Sequence, residues 1–270
     1  MKQILITGLD GSGKSTLFDA LAARKTNNTT GLLRLPHIDI YGIVNDKPLL
    51  KAASFVNYIN QLSDQQQNTA LKAVSLFASM LLYRPIMQNM ESQGIEVVIA
   101  ERHPLIDAEA YAGYYAPKAR LPEPGRPQFS PINKQFSCEI AYLTSLIPEE
   151  YIKTCPGPLL ENLSAFVFTY FFTEKKTGIA ALSKLFKIEP PHVIYFLKAS
   201  PEILMQRLLS RKKHEAHETL LTLTELDQVY LKLAENLKPE TSVLFNIIDA
   251  SSFENLNNFR SQIEKDYFRI

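Results

Sequence analysis

Residues 5–16 read LITGLDGSGKST. No other stretch of the chain restricts so tightly what it can fold into. An apolar run ends at Gly8, two more glycines follow at 11 and 13, and Lys14 and Ser15 open a helical pattern. Gly8-x-x-x-x-Gly13-Lys14-Ser15 is a strand–turn–helix signature whose glycines let the backbone curl until successive N–H groups point inward. The helix start adds the positive end of its dipole, so the turn is built to grip phosphate. Gly8, Asp10, Gly11, Ser12, Gly13, Lys14, Ser15 and Thr16 form this candidate loop. Lys14 supplies a mobile charge for the outer phosphates of ATP, and Ser15 supplies a hydroxyl ligand for Mg²⁺.

Such a turn needs a parallel sheet behind it. Short apolar runs at 3–7, 31–35, 96–100, 192–197 and 243–248 read as strands, and 14–24, 66–91, 201–213, 222–237 and 252–265 read as helices between them. The alternation predicts an α/β, three-layer phosphate-loop fold with a five-stranded parallel sheet. Two segments break the rhythm. Residues 117–131 hold five prolines and read as an irregular connection. Residues 134–187 read as two or three apolar helices interrupted by CPGP at 155–158. The expectation is one kinase-like domain over 1–270 with a helical insertion at 117–189.

Charge and composition exclude several partners. The net charge of +1 on 270 residues argues against a nucleic-acid polymer as ligand. The 11-residue apolar stretch 163–173 is too short to span a bilayer and reads as a buried helix. Two cysteines, with only a brief apolar run before Gly8, predict a reduced, cytoplasmic protein without a membrane partner.

The chain carries no Asn-Lys-x-Asp element of the kind a GTPase uses to read its base. It does place Glu101 and Arg102 directly after the 96–100 strand. A carboxylate there can hold magnesium, and an adjacent arginine can offset charge on a moving phosphoryl group. Farther on, Ser200-Pro201-Glu202 starts a helix, on which Arg207 and Arg211 are expected to share a face.

GLDGSGKST, LLRLP, ESQGIEVVIAERH, AYAG and NIIDAS occur in the order and approximate spacing of thymidylate kinases, and the chain resembles that family over about 1–116 and 190–268. The resemblance implies that Asp10 contacts the acceptor sugar, Arg34 clamps the acceptor phosphate, and Arg102 sits between donor and acceptor. Tyr111 matches the aromatic of an Ala-Tyr-x-Gly stretch, and Glu101 stands where the family has aspartate. Residues 207–220 match the lid, with Arg207 on the nucleotide and Arg211 at the transferring phosphate. The family's base-reading Phe-x-x-x-Arg is displaced here, leaving Phe77, Arg84 or Tyr83 as candidates. A homodimer is expected on the same ground.

Two other readings stay open at this point. ERHPLIDAEAYAGYYA also resembles herpesvirus-type thymidine kinases, which phosphorylate a nucleoside hydroxyl. That chemistry needs a base, usually a glutamate before the proline after the second strand, and Leu35 occupies that place. The other reading is a catalytically relaxed nucleotide-binding protein that uses the insertion as an interaction surface. His103 reads as a packing or orienting residue, because transfer to an ionised phosphate requires no strong base.

Overall fold

The computed structural model describes residues 1–24, 28–35, 37–38, 45–115, 129–152, 157–173, 178–211, 219–240 and 242–268. All five expected strands form: β1 (Lys2–Gly8), β2 (Thr30–Leu33), β3 (Val97–Ala100), β4 (Val193–Lys198) and β5 (Leu244–Asp249). They pair in parallel in the order β2-β3-β1-β4-β5. β1 lies at the centre, which explains its unbroken apolar run: a strand covered on both faces has no polar side to show.

The described residues fall into two compact units, one of 1–33, 94–102 and 190–270, the other of 34–93 and 103–189. In the first, Ile4 and Ile6 point from β1 into a core with Leu17, Phe18 and Leu21 of α1 (Lys14–Arg24) and Phe259 and Ile263 of α12 (Phe253–Tyr267). The alternate residues face the other way. Thr7 Oγ1 donates to Tyr230 Oη of α11 (Leu220–Glu240) at 3.4 Å, and the Tyr230 ring stacks on Phe196 of β4 at 5.0 Å. The period-two alternation of the strands thus sets helices on both sides of the sheet.

After β4, Ser200 caps α10 (Pro201–Leu209) by accepting from the Ile203 N–H at 3.4 Å, as the Ser-Pro start predicts. The helix is shorter than the expected 201–213. Arg211 lies beyond its end, where its N–H closes a turn onto Leu208 O (2.9 Å), so Arg207 and Arg211 do not share a helix face. Residues 212–218 of the expected lid lie outside the described residues.

The second unit is helical. The expected helix at 66–91 is α3 (Thr69–Ser92), and a further helix, α2 (Lys47–Gln66), precedes it. Gln67 turns left-handed at φ 51° to end α2, and Asn68 caps α3 by accepting from the Leu71 N–H at 3.0 Å. Among the described residues, Ala70–Ser92 is long and apolar enough to cross a bilayer (mean hydropathy 1.3), but 67% of its most apolar stretch is buried inside the protein.

The region 134–187 is more broken than expected. It holds α5 (Ser130–Gln135), α6 (Ser137–Ser145), α7 (Glu149–Ile152), α8 (Leu160–Val167) and α9 (Ile179–Phe186). Leu163, Phe166 and Val167 of the 163–173 stretch are buried, and α8 widens into a π-helical turn at Phe168–Thr173 in which Tyr170 and Phe171 are buried too. These helices are not a separate body. α6 packs on α2, α8 on α3, and α9 on α4 (Pro104–Tyr115), so flanking and inserted sequence share one core. Most of the proline-rich 117–131 connection lies outside the described residues.

Candidate active site

The loop after β1 takes the predicted form, and two of its glycines are required by what surrounds them. A side chain on Gly8 would meet the Leu197 carbonyl at 2.6 Å, because β4 passes that close. Gly11 holds φ +83°, and a Cβ there would lie 2.9 Å from the Leu204 carbonyl of α10. Lys14 is 6% exposed and folds back over the loop. Its ammonium donates to Gly8 O (2.7 Å) and Leu9 O (2.8 Å) and lies 3.9 Å from Asp10 Oδ1. Ser12 is fully buried, and its hydroxyl has no partner among the described residues.

Glu101 is aimed by the sheet itself. Its N–H continues the β2–β3 ladder to Leu33 O at 2.9 Å, and its carboxylate Oε1 accepts from Ser15 Oγ at 3.2 Å. Arg102 follows, with Nη2 3.8 Å from Asp10 Oδ1. Asp10 therefore stands between two cations and ties the arginine to the loop. Lys14, Ser15, Glu101, Arg102 and Asp10, all expected from sequence, are brought together at the carboxyl ends of β1 and β3. Thr16 is exposed one residue farther on.

Arg207 is bound to the same loop. One guanidinium nitrogen donates to Gly11 O (3.3 Å) and the other to Ser251 O (2.9 Å), where Asp249 in turn accepts from the Ser251 N–H (2.8 Å). This pairs the expected nucleotide-side arginine with the NIIDAS stretch. Arg211 is exposed.

The residues expected on the acceptor side lie in the helical unit, apart from Asp10 and Arg102. Arg34 is half-buried just past β2, and Leu35 beside it is 3% exposed, a core leucine with nothing to offer a proton. Phe77 is 2% exposed and ringed by Phe166, Phe186 and Phe171, centroids at 5.5, 5.7 and 5.8 Å. Arg84 lines a cavity of about 270 Å³ with Leu81, Gln88, Ser145, Phe186 and Lys187. Phe186 both meets the Phe77 ring and lines the cavity beside Arg84. Tyr111 falls in α4, and its side chain lies outside the described residues.

His103 is fully buried and caps α4. Its Nδ1 accepts from the Leu105 N–H (3.3 Å), while Asp107 Oδ2 reaches back to accept from the His103 N–H (2.7 Å). Burial pushes the imidazole down to about 3, partly offset by the Glu189 backbone, so the ring is neutral. The Tyr83 ring meets it edge-on at 4.8 Å, and burial together with the Asp107 charge drives the Tyr83 hydroxyl far above its ordinary value. Tyr83, a candidate base reader in the sequence, is thus packed against His103 at 1% exposure.

No family model matches the chain, and no curated protein matches it in sequence. Among solved structures it is similar to the thymidylate kinase from Candida albicans, at 17% identity and a TM-score of 0.48, over 99% of this chain and 92% of that one. The phosphate-loop α/β fold is read from the chain's own strand order and loop.

Sequence reasoning missed Asn57 of α2, which takes hold of the backbone of Ile38 at two points. The available signal was a pair of asparagines, at 57 and 60, within the otherwise apolar run FVNYIN.

Proposed function

We propose that the chain is an ATP-dependent phosphotransferase that passes a phosphoryl group to a (deoxy)nucleoside monophosphate, in the manner of a thymidylate kinase. The observation that carries this reading is the convergence of buried Lys14, the Ser15–Glu101 pair at 3.2 Å and the Asp10–Arg102 pair at 3.8 Å around one phosphate loop.

The residues present fit the groups such a reaction needs. The unpartnered Ser12 hydroxyl and the inward loop amides are donors suited to phosphate oxygens. Ser15 and Glu101 offer adjacent oxygens to a hard cation. Mg²⁺ characteristically keeps several water and phosphate ligands and takes few from protein. Bound there, Mg²⁺ would neutralise phosphate charge.

The chain's own part is positioning. Lys14 exchanges the Gly8 and Leu9 carbonyls for phosphate oxygens. Arg102, steadied by Asp10, faces the transferring group, and Arg34 grips the acceptor phosphate. The bond to the donor's β-phosphate oxygen breaks as one forms to an oxygen of the acceptor phosphate, which is already ionised. No base is needed, in keeping with a buried leucine at position 35 and a neutral His103. Arg211 is the lid residue expected to join on closure.

The experiment is a panel of nucleosides and monophosphates incubated with the full chain, ATP and Mg²⁺, with ADP release as the readout. Turnover with dTMP and none with thymidine is the expected result. Turnover with thymidine alone would reassign the chain as a nucleoside kinase, and tight ATP binding without turnover would leave a nucleotide-sensing protein.

A further inference from the structure

Arg34 follows β2 directly, and four residues on the backbone is held by a side chain rather than a strand. Asn57 spends both ends of its amide on one residue. Its Oδ1 accepts from the Ile38 N–H and its Nδ2 donates to the Ile38 carbonyl, both at 2.8 Å. This is the two-point exchange that a neighbouring strand makes with a hydrogen-bonded partner, supplied here from a helix. Three residues on and along the same helix face, Asn60 is fully buried; its Nδ2 lies 3.5 Å from His37 Nε2, and its Oδ1 accepts from Ser75 Oγ of α3 at 3.2 Å. Two asparagines on one helix therefore address two consecutive residues of the segment. Leu35 and Ile38, at 3% and 2% exposure, plug it into the apolar core on either side of His37.

An apolar residue at position 57 would have no polar group with which to fix the segment's height. The amide does fix it, because both polar groups of Ile38 lose their partner if it shifts. Arg34 follows β2 directly and stands four residues before this anchor, so the anchor limits how far the backbone that carries it can shift.

We infer that Asn57 is a positioning residue that holds Arg34 in register to grip a nucleoside monophosphate through its phosphate dianion. This rests on the reading of Arg34 as the acceptor-phosphate clamp. The test titrates the full chain with dTMP, and separately with ATP, by calorimetry. It uses the wild type, Arg34→Ala, Asn57→Leu, Asn57→Gln and the Arg34→Ala/Asn57→Leu pair. Asn57→Leu is expected to weaken dTMP binding about ten-fold and to change ATP binding by less than about two-fold, with the double variant binding dTMP no worse than Arg34→Ala alone. Asn57→Gln, which keeps both hydrogen-bonding groups on a longer arm, is expected to recover part of the loss.

Unchanged dTMP binding in Asn57→Leu, equal loss of dTMP and ATP binding, or multiplying losses in the double variant would each overturn the inference while leaving the role of Arg34 standing. A wild type that does not take up dTMP, or an Arg34→Ala variant that takes it up equally, would defeat the reading of Arg34 and this inference with it.

Discussion

β2 and β3 are neighbours, with Leu33 opposite Ala100, and each runs straight into a charged residue that the proposed reaction uses. Beyond β3, Glu101 keeps its place through the ladder, its N–H still bound to Leu33 O at 2.9 Å. Beyond β2, Ile38 is held by a side chain, the amide of Asn57. The phosphate-loop end is thus fixed by backbone pairing, which almost any strand sequence can supply. The helical unit is fixed by individual side chains, where one substitution removes the hold. Changes at the loop end should therefore cost chemistry and spare the fold, and changes to the buried rings of the helical unit should do the reverse.

The sharpest break in that contrast would come from Lys14. Lys14→Ala removes a buried ammonium from two carbonyls of its own loop and should lower phosphoryl transfer by about 10⁴-fold. Circular dichroism and the melting temperature should stay near wild type, because the β1 ladder is untouched. Turnover within ten-fold of wild type would remove Lys14 from the mechanism.

Phe77→Ala probes the other side. Emptying a 2%-exposed site ringed by three phenylalanines should cost about 3–5 kcal/mol in chemical denaturation and leave ATP affinity unchanged. If stability hardly moves while dTMP binding collapses, Phe77 contacts the base after all.

Glu101→Gln tests whether the ladder-held carboxylate acts by charge or by shape. The amide oxygen can still accept from Ser15, so a loss of about 10²-fold in kcat with a raised Mg²⁺ requirement would identify charge as the cause. Glu101→Asp should retain most activity if the metal geometry tolerates a shorter arm. Identical Mg²⁺ curves for wild type and Glu101→Gln would clear this residue of any part in holding the ion.

The same contrast governs what could be read in advance. β1 and β4 are buried on both faces and read as continuous apolar words, β5 reads as one although it is a largely exposed edge strand, and the phosphate loop is a glycine code, so all five strands and the cluster around Lys14 and Glu101 were legible. The helical unit depends on contacts distant in sequence. α2 was overlooked although Asp46 and Pro48 announce its start, because charged and polar residues interrupt its apolar stripe. Phe77 looks the same in sequence whether it faces a ligand or three other rings. Asn57 and Asn60 stand out as polar residues in an apolar run, but the partner of Asn57 is the backbone of a residue 19 positions away, and no pattern of side chains names that partner.

The smallest expected effect concerns His103, where the chain passes from β3 into the helical unit. Held neutral by burial at about 3, against 6.5 for an exposed imidazole, it resists protonation in the folded state while the unfolded chain accepts the proton. Its contribution to stability is fully present above pH 6.5 and is withdrawn as the pH falls toward 3, at about 1.4 kcal/mol per unit. His103→Asn keeps an oxygen able to cap α4 and removes the titration. In urea denaturation at pH 7.5 and pH 5, the wild type should lose about 2 kcal/mol more than the variant. Parallel losses would mean that the ring finds a partner for its proton on charging, and that the passage from sheet to helices is looser than the Leu105 and Asp107 hydrogen bonds make it.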